Sequence, residues 1–210
     1  MKKFAAIAFF IFTFLFTASS AHAATILSVP FTPQAPQNQW RTQPFQDACE
    51  EASIIMIDAF YHNKILTPKN VRAQILDYIN YENHQYGFNK DTNAIMTSKL
   101  INEHSGFWTH LVENASTDDI KNQIDAGYPV IFSAYTPTLR NPHYSRSVNP
   151  YHVFVITGYD DTTHEFITND PGTNAGKNYR YSFETLKNAN HDWMQKNTGT
   201  GAPVVLFTEP

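Results

Sequence analysis

A helix that is apolar on every side has to be enclosed by the rest of its chain, and residues 54–61 read as such a helix. Ile54, Ile55, Met56 and Ile57 are followed by Ala59, Phe60 and Tyr61, with Asp58 as the only charge in the run. The stretch just ahead, Gln46-Asp47-Ala48-Cys49-Glu50-Glu51-Ala52-Ser53, holds the only cysteine of the chain. One thiol cannot make an internal disulfide, so the fold must be held by its core, for which 42% hydrophobic and 14% aromatic residues suffice. The cysteine itself is then a small buried hydrophobe, a site of intermolecular pairing, or a nucleophile. Asp47 is spaced as an N-cap, with Glu50 three residues on as a capping box requires. Cys49 then falls in the first helical turn, where free N–H groups and the helix dipole lower a thiol pKa. Glu50 and Glu51 act against that as charges beside the sulfur, unless they cap the turn and point to solvent.

The N-terminus has the pattern of a secretory signal peptide. Lys2 and Lys3 precede an apolar block over residues 4–16, and Ala21-His22-Ala23 offers a small-x-small cleavage site, so residues 1–23 are expected to be removed. No cysteine stands at that site to carry a lipid, and no later stretch is apolar for long enough to span a membrane. The expected location is secreted or periplasmic, with no stable membrane anchor after cleavage. Residues 24–210 have the length of a single domain. The formal charge is −4, and losing Lys2 and Lys3 makes the remainder more acidic. An acidic chain without a Lys/Arg cluster is a poor partner for nucleic acid or an anionic membrane surface.

Pro30, Pro33 and Pro36 make residues 25–40 a short extended segment followed by an irregular loop. A second helix is marked by Thr67 as N-cap, Pro68 at the first helical position, and Val71, Ile75, Leu76 and Ile79 at helical spacing. A third is expected over residues 92–104, with Ile95, Leu100 and Ile101 as its apolar face and Gly106 beyond its end. Ser116 and Asp119 form a capping-box pattern for a fourth, with Ile120 and Ile124 four apart and Gly127 closing it. From residue 128 the periodicity becomes that of strands: 129–135, 151–159, 164–168, 179–183 and 204–208. Helices first and an antiparallel sheet afterwards define an α+β domain. Residues 136–150 form a long loop containing His143 and Arg146, read as a solvated loop or as a border to substrate.

A cysteine nucleophile needs a base within hydrogen-bond reach and a third group to orient that base. Of nine histidines, His152 opens the most apolar strand; taken alone it reads more readily as a satisfied core or strand-end histidine. The turn over residues 160–163 is short, so strands 151–159 and 164–168 should pair antiparallel and bring Asn169 or Asp170 beside His152. Either side chain could hold the imidazole through its Nδ1–H. His62, His84, His104 and His110 lack the close spacing of a zinc site, and no cofactor is called for.

Three blocks together resemble a known family. Val29-Pro30-Phe31-Thr32-Pro33-Gln34, then Ala48-Cys49-Glu50-Glu51-Ala52-Ser53, then the run from Tyr151 to Asp161 with Asn169-Asp170-Pro171-Gly172, look like the motifs of the double-glycine-leader (bacteriocin-processing) peptidase-like family. These are papain-like cysteine peptidases, and the blocks stand in the family order. The resemblance implies a papain-like fold, N-terminal helices packed on a C-terminal antiparallel sheet. It also implies Cys49 as nucleophile, His152 as base, Asp170 as orienting residue, and a glutamine that stabilises the oxyanion. Gln34 is favoured, because it matches the first block together with its neighbours, over Gln43, which stands six residues before the cysteine, the spacing common in papain-like enzymes. The partner implied is a peptide or amide substrate. Two other readings stand beside this one: a papain-like binding module without turnover, and a transglutaminase-like acyltransferase.

Overall fold

The computed structural model describes residues 24–145 and 149–210. The expected leader and Arg146 lie outside the described residues.

Helix α1 (Cys49–Tyr61) is enclosed as its sequence requires, every residue from Cys49 to Ala59 being buried. Its start differs from expectation. Ala48 is the N-cap, with no side-chain hydrogen bond, and Asp47 instead accepts from Gln43 Nε2 at 2.8 Å. The helix begins where its first turn enters the core rather than where a polar cap stands. Helix α2 (Pro68–Gln85) has its capping box, completed by Asn70: the Asn70 N–H donates to Thr67 Oγ1 and the Thr67 N–H to Asn70 Oδ1. Helix α3 (Ala94–His104) starts two residues later than expected, capped by Asn93, and buries Leu100 and Ile101; Ile95 points outward, 62% exposed. Helix α4 (Thr117–Asp125) carries the Ser116/Asp119 box, and Gly127 takes φ +92 just past its end, a conformation that favours glycine.

The described strands are β1 (Thr25–Ile26), β2 (Trp108–Glu113), β3 (Val130–Tyr135), β4 (Tyr151–Asp160), β5 (Glu165–Asn169), β6 (Tyr179–Ser182) and β7 (Val204–Glu209). All their pairings are antiparallel, in the order β2-β7-β3-β4-β5-β6 with β1 laid along the far end of β4. A bulge in β4 between Ile156 and Gly158 makes room for β1, and a Cβ at Gly158 would drive into the Thr25 carbonyl oxygen. Two short helices, α5 (Thr136–Leu139) and α6 (Phe183–Ala189), complete the described elements together with a 3-10 turn at Thr198–Thr200. Strand β2, placed before α4, and helices α5 and α6 are additions to the sequence reading.

The sheet is buried on both faces by alternate residues of the same strands. Val153, Val155, Ile131 and Leu206 join α1, α2 and α3 in one cluster; Phe132, Phe154, Ile156 and Val205 join α4, α5 and α6 in the other. Helix α1 lies across β4, and Ser53 Oγ donates to the Val153 carbonyl at 3.4 Å. That crossing sets the start of α1 beside the start of β4. Replacing Ile54, which is wholly buried, by alanine should remove ~2–5 kcal/mol of stability, read as a lower midpoint with unchanged slope in urea unfolding.

Candidate active site

Strand pairing brings the histidine and the aspartate together. Val155 lies opposite Asn169, and continuing that register sets Asp170 opposite Phe154 and Gly172 opposite His152. Asp170 and His152 are then diagonal neighbours on one face, within reach of an imidazole and a carboxylate. His152 Nε2 meets Asp170 Oδ1 at 2.8 Å, with both side chains buried. This corrects the expected tautomer: Nε2 carries the aspartate bond, so Nδ1 is the nitrogen left for another partner. Gly172 is required at its position, because a Cβ there would sit 2.9 Å from the imidazole Nε2 and Cε1. Asn169 is bonded elsewhere, its Nδ2 donating to the Val29 carbonyl at 3.0 Å.

Asp170 is fully buried and needs several donors to stay ionised. Oδ2 accepts from Tyr144 Oη at 2.6 Å and Tyr181 Oη at 2.8 Å, and Oδ1 also accepts from the Gly172 N–H at 2.9 Å. Asn141 Nδ2 supports the cluster by donating to Tyr181 Oη at 2.7 Å. Burial raises the Asp170 pKa, but the attraction of His152 and the bonds from His152, Tyr144 and Tyr181 outweigh it, leaving the group below the usual carboxylate range. Tyr144, Tyr181 and Asn141 carry no motif and could not be singled out from the sequence. The Tyr144 ring also stands edge-on to His152, with centroids 5.6 Å apart.

Cys49, His152 and Gln34 border one cleft of about 750 Å³, together with Trp40, Asp47 and Asn149. His143 lies on its rim, its ring edge-on to Tyr179. Gln34 ties the two halves of the site together: its N–H donates to the Pro171 carbonyl at 2.9 Å, and its Nε2 donates to the carbonyls of Phe45 at 3.1 Å and Gln46 at 2.8 Å. Gln43 is exposed and bonded to Gln46 and Asp47, which line the cleft, but is not itself a lining residue.

The thiol is held in an unexpected way. Cys49 Sγ donates to Glu50 Oε2 at 3.0 Å, and the other oxygen, Oε1, accepts from the Thr92 N–H at 3.0 Å. Glu50 and Glu51 do not reach solvent; each is 3% exposed. Burial first, then the charges of Glu50 and Asp91, hold the Cys49 pKa well above the ordinary thiol value, although the Val153 backbone works the other way. Burial and the nearby Asp91 push Glu50 up to about 8. The helix-start lowering expected for the thiol is therefore outweighed. Among the described residues, no group of three or more His, Cys, Asp or Glu is arranged to hold a metal ion, and no helix is long and apolar enough to cross a membrane.

The arrangement is that of a papain-like domain, with a cysteine at the start of a buried helix and a histidine–aspartate pair on the adjoining sheet. The chain belongs to the Peptidase C39-like family, whose profile matches residues 26–199. In three dimensions it is similar to a crystal structure from Bacillus anthracis provisionally described as a C39-like peptidase. The TM-score is 0.56 and the identity 14%, over 90% of this chain and 99% of that one. At that identity the likeness concerns the fold. No curated protein sequence matches the chain.

Glu51 and Glu82 form a second buried acid pair, and the Oε2 atom of each lacks a hydrogen-bond partner. Burial, then the charges of Glu82 and Glu50, raise Glu51 well above the carboxylate range, and burial raises Glu82 to about 7. Between the unfolded carboxylate value of ~4.3 and the raised folded values, the native state keeps protons that the unfolded chain has lost. Stability should therefore fall as pH rises through that window. Glu82→Gln should recover ~1–3 kcal/mol at pH 8 and little at pH 4, read from urea unfolding at the two pH values.

Proposed function

We propose that this chain is a cysteine peptidase or amidase that works through a Cys49 thioester. The observation that carries the reading is the His152 Nε2–Asp170 Oδ1 bond of 2.8 Å, on the border of the cleft that Cys49 also lines. An imidazole fixed in that way has Nδ1 as its working atom. In the reaction, the thiol turns from Glu50 toward His152 and Nδ1 takes its proton. The thiolate attacks the carbonyl carbon of a peptide or amide, and the C=O electron pair becomes an oxyanion. As the tetrahedral adduct collapses, the C–N bond breaks and the amine leaves with the proton held on Nδ1. Water then gives a proton to Nδ1 and attacks the thioester; breaking the C–S bond frees the carboxylic acid and returns the proton to sulfur.

The Cys49 N–H at the helix start and the Gln34 side chain are the proposed oxyanion donors. Gln34 can serve by exchanging its longer bond, the one to the Phe45 carbonyl, for the oxyanion. The pattern of Lys2, Lys3, the apolar block and Ala21-His22-Ala23 supports export to the periplasm or the medium. The family match over residues 26–199 supports residues 24–210 as a single catalytic domain. Peptides and small amides are the substrate class proposed.

One observation favours a second reading, a binding module without turnover: the resting thiol is bonded to a carboxyl rather than to the imidazole. Kinetics separate the two. Against a panel of peptides, Cys49→Ala should abolish hydrolysis, and His152→Ala should lower kcat/KM by ~10²–10⁴-fold, the second with a lower melting temperature because buried Asp170 loses its partner, so both are assayed well below the unfolding transition. His152→Ala should also slow alkylation of Cys49 at neutral pH. Alkylation of the wild type only after unfolding, with no cleavage of any peptide, would defeat the peptidase reading.

A further inference from the structure

We propose that Glu50 is a further catalytic residue, a carboxyl that controls whether Cys49 can become a thiolate. The inference rests on the reading of Cys49 as nucleophile and concerns how that nucleophile is released. The geometry is specific. Glu50 Oε2 is 3.0 Å from the reacting sulfur, Oε1 is fixed by the Thr92 N–H at 3.0 Å, and the side chain is shut off from solvent. A surface carboxyl at the start of a helix would be explained as a capping aid. This one does more than cap: besides the bond to its own backbone N–H, its Oε1 holds a segment forty-two residues away and its Oε2 faces the sulfur.

The groups around it make the site intolerant of added negative charge. Asp91 faces Glu50 from the segment preceding α3, with both its oxygens accepting from Asn149 Nδ2 at 2.9 and 2.8 Å. Glu51 follows on α1, and from β4 Tyr151 donates its hydroxyl proton to the Thr92 carbonyl at 2.9 Å. His152, on the same strand, and Lys90, next to Asp91 in the chain, attract the Asp91 carboxylate and favour its ionised form. In such surroundings the Cys49–Glu50 pair readily carries one negative charge and resists two.

The proton balance follows. With Glu50 protonated, the thiol can pass its proton to His152 Nδ1, and the Glu50 O–H then donates to the thiolate; Glu50 keeps its proton throughout and is not consumed. With Glu50 ionised, the thiol proton is pinned between sulfur and carboxylate, and removing it would place two charges side by side. The carboxyl therefore supports nucleophile formation in its neutral form and blocks it in its ionised form. Burial, with Asp91 beside it, raises the pKa of Glu50 to about 8, so neutral pH lies on the permissive side.

Alkylation of Cys49 by iodoacetamide, followed from pH 6 to pH 9.5 in the folded protein, tests this without any substrate. In the wild type the rate should climb about tenfold per pH unit and then flatten above about pH 8. Glu50→Gln keeps an acceptor for Thr92 and an N–H for the sulfur but cannot ionise. Its rate should match the wild type at pH 6.5, continue to climb, and exceed the wild type by about tenfold at pH 9. A ratio independent of pH would overturn the proposal, since loss of packing alone has no such dependence. Should the variant fail to fold, the wild-type profile decides: a rate still climbing tenfold per unit from pH 8 to 9 overturns it. His152→Ala keeps the two readings apart. If it leaves alkylation unchanged while Glu50→Gln shows the pH-dependent gain, the base assignment falls and the role of Glu50 stands. The reverse result removes Glu50 alone.

Discussion

Enclosure of α1 is the constraint on which the rest of the structure depends. A thirteen-residue helix buried from Cys49 to Ala59 has to be covered on all sides, and the chain supplies α2 and α3 against it and β4 beneath it. Because burial begins with its first residue, the helix carries not only Cys49 into the interior but Glu50, Glu51 and Asp58 as well. Each of these needs a local solution. Asp58 takes Lys64 and His62, Glu50 takes the thiol and Thr92, and Glu51 is left with Glu82. The acidic character of the interior beside the sulfur is thus a result of where the helix starts.

Much of this fold could be read from local signals. The helices with complete caps, α2 and α4, agree with the Thr67–Pro68 and Ser116–Asp119 patterns, and β3, β4 and β5 agree with their apolar runs. Strand β2 escaped because only Thr109 of its six residues is buried, so no apolar alternation marks it. Helix α6 is seven residues long, too short to establish a helical period. The environment of Glu50 and Glu51 was illegible for a different reason: their partners Thr92 and Glu82 are distant in sequence, and two adjacent glutamates read by default as solvated. The histidine–aspartate pair was foreseeable from the hairpin, but not which ring nitrogen makes the bond, since that depends on the side of the strand from which Asp170 approaches.

The Asp170 cluster shows how a buried charge is kept. One carboxylate collects the imidazole, two tyrosine hydroxyls and a backbone N–H, drawn from four separate parts of the chain. A carboxylate so fully bonded stays ionised in the interior, and an imidazole facing it is held in one orientation by a rigid partner. At Glu50 the balance is reversed: burial and the acidic Asp91 outweigh the bonds from Cys49, from Thr92 and from its own backbone N–H. Two buried carboxyls, one beside Cys49 and one beside His152, thus have their pKa values pushed in opposite directions.

The contact of Ser53 with Val153 has a consequence for how the molecule comes into being. It joins segments one hundred residues apart, and the cleft between them takes its lining from Gln34 at one end of the described chain to Asn174 near the other. Long-range closure of this kind is late and slow in folding. A nascent chain with α1 to α3 already formed still lacks β4 and β5, so its thiol has neither imidazole nor cleft wall beside it. Assembly of the cleft thus waits for the sheet, and a partly made chain carries an ordinary thiol, free of the burial and the carboxyls that raise its pKa in the native fold.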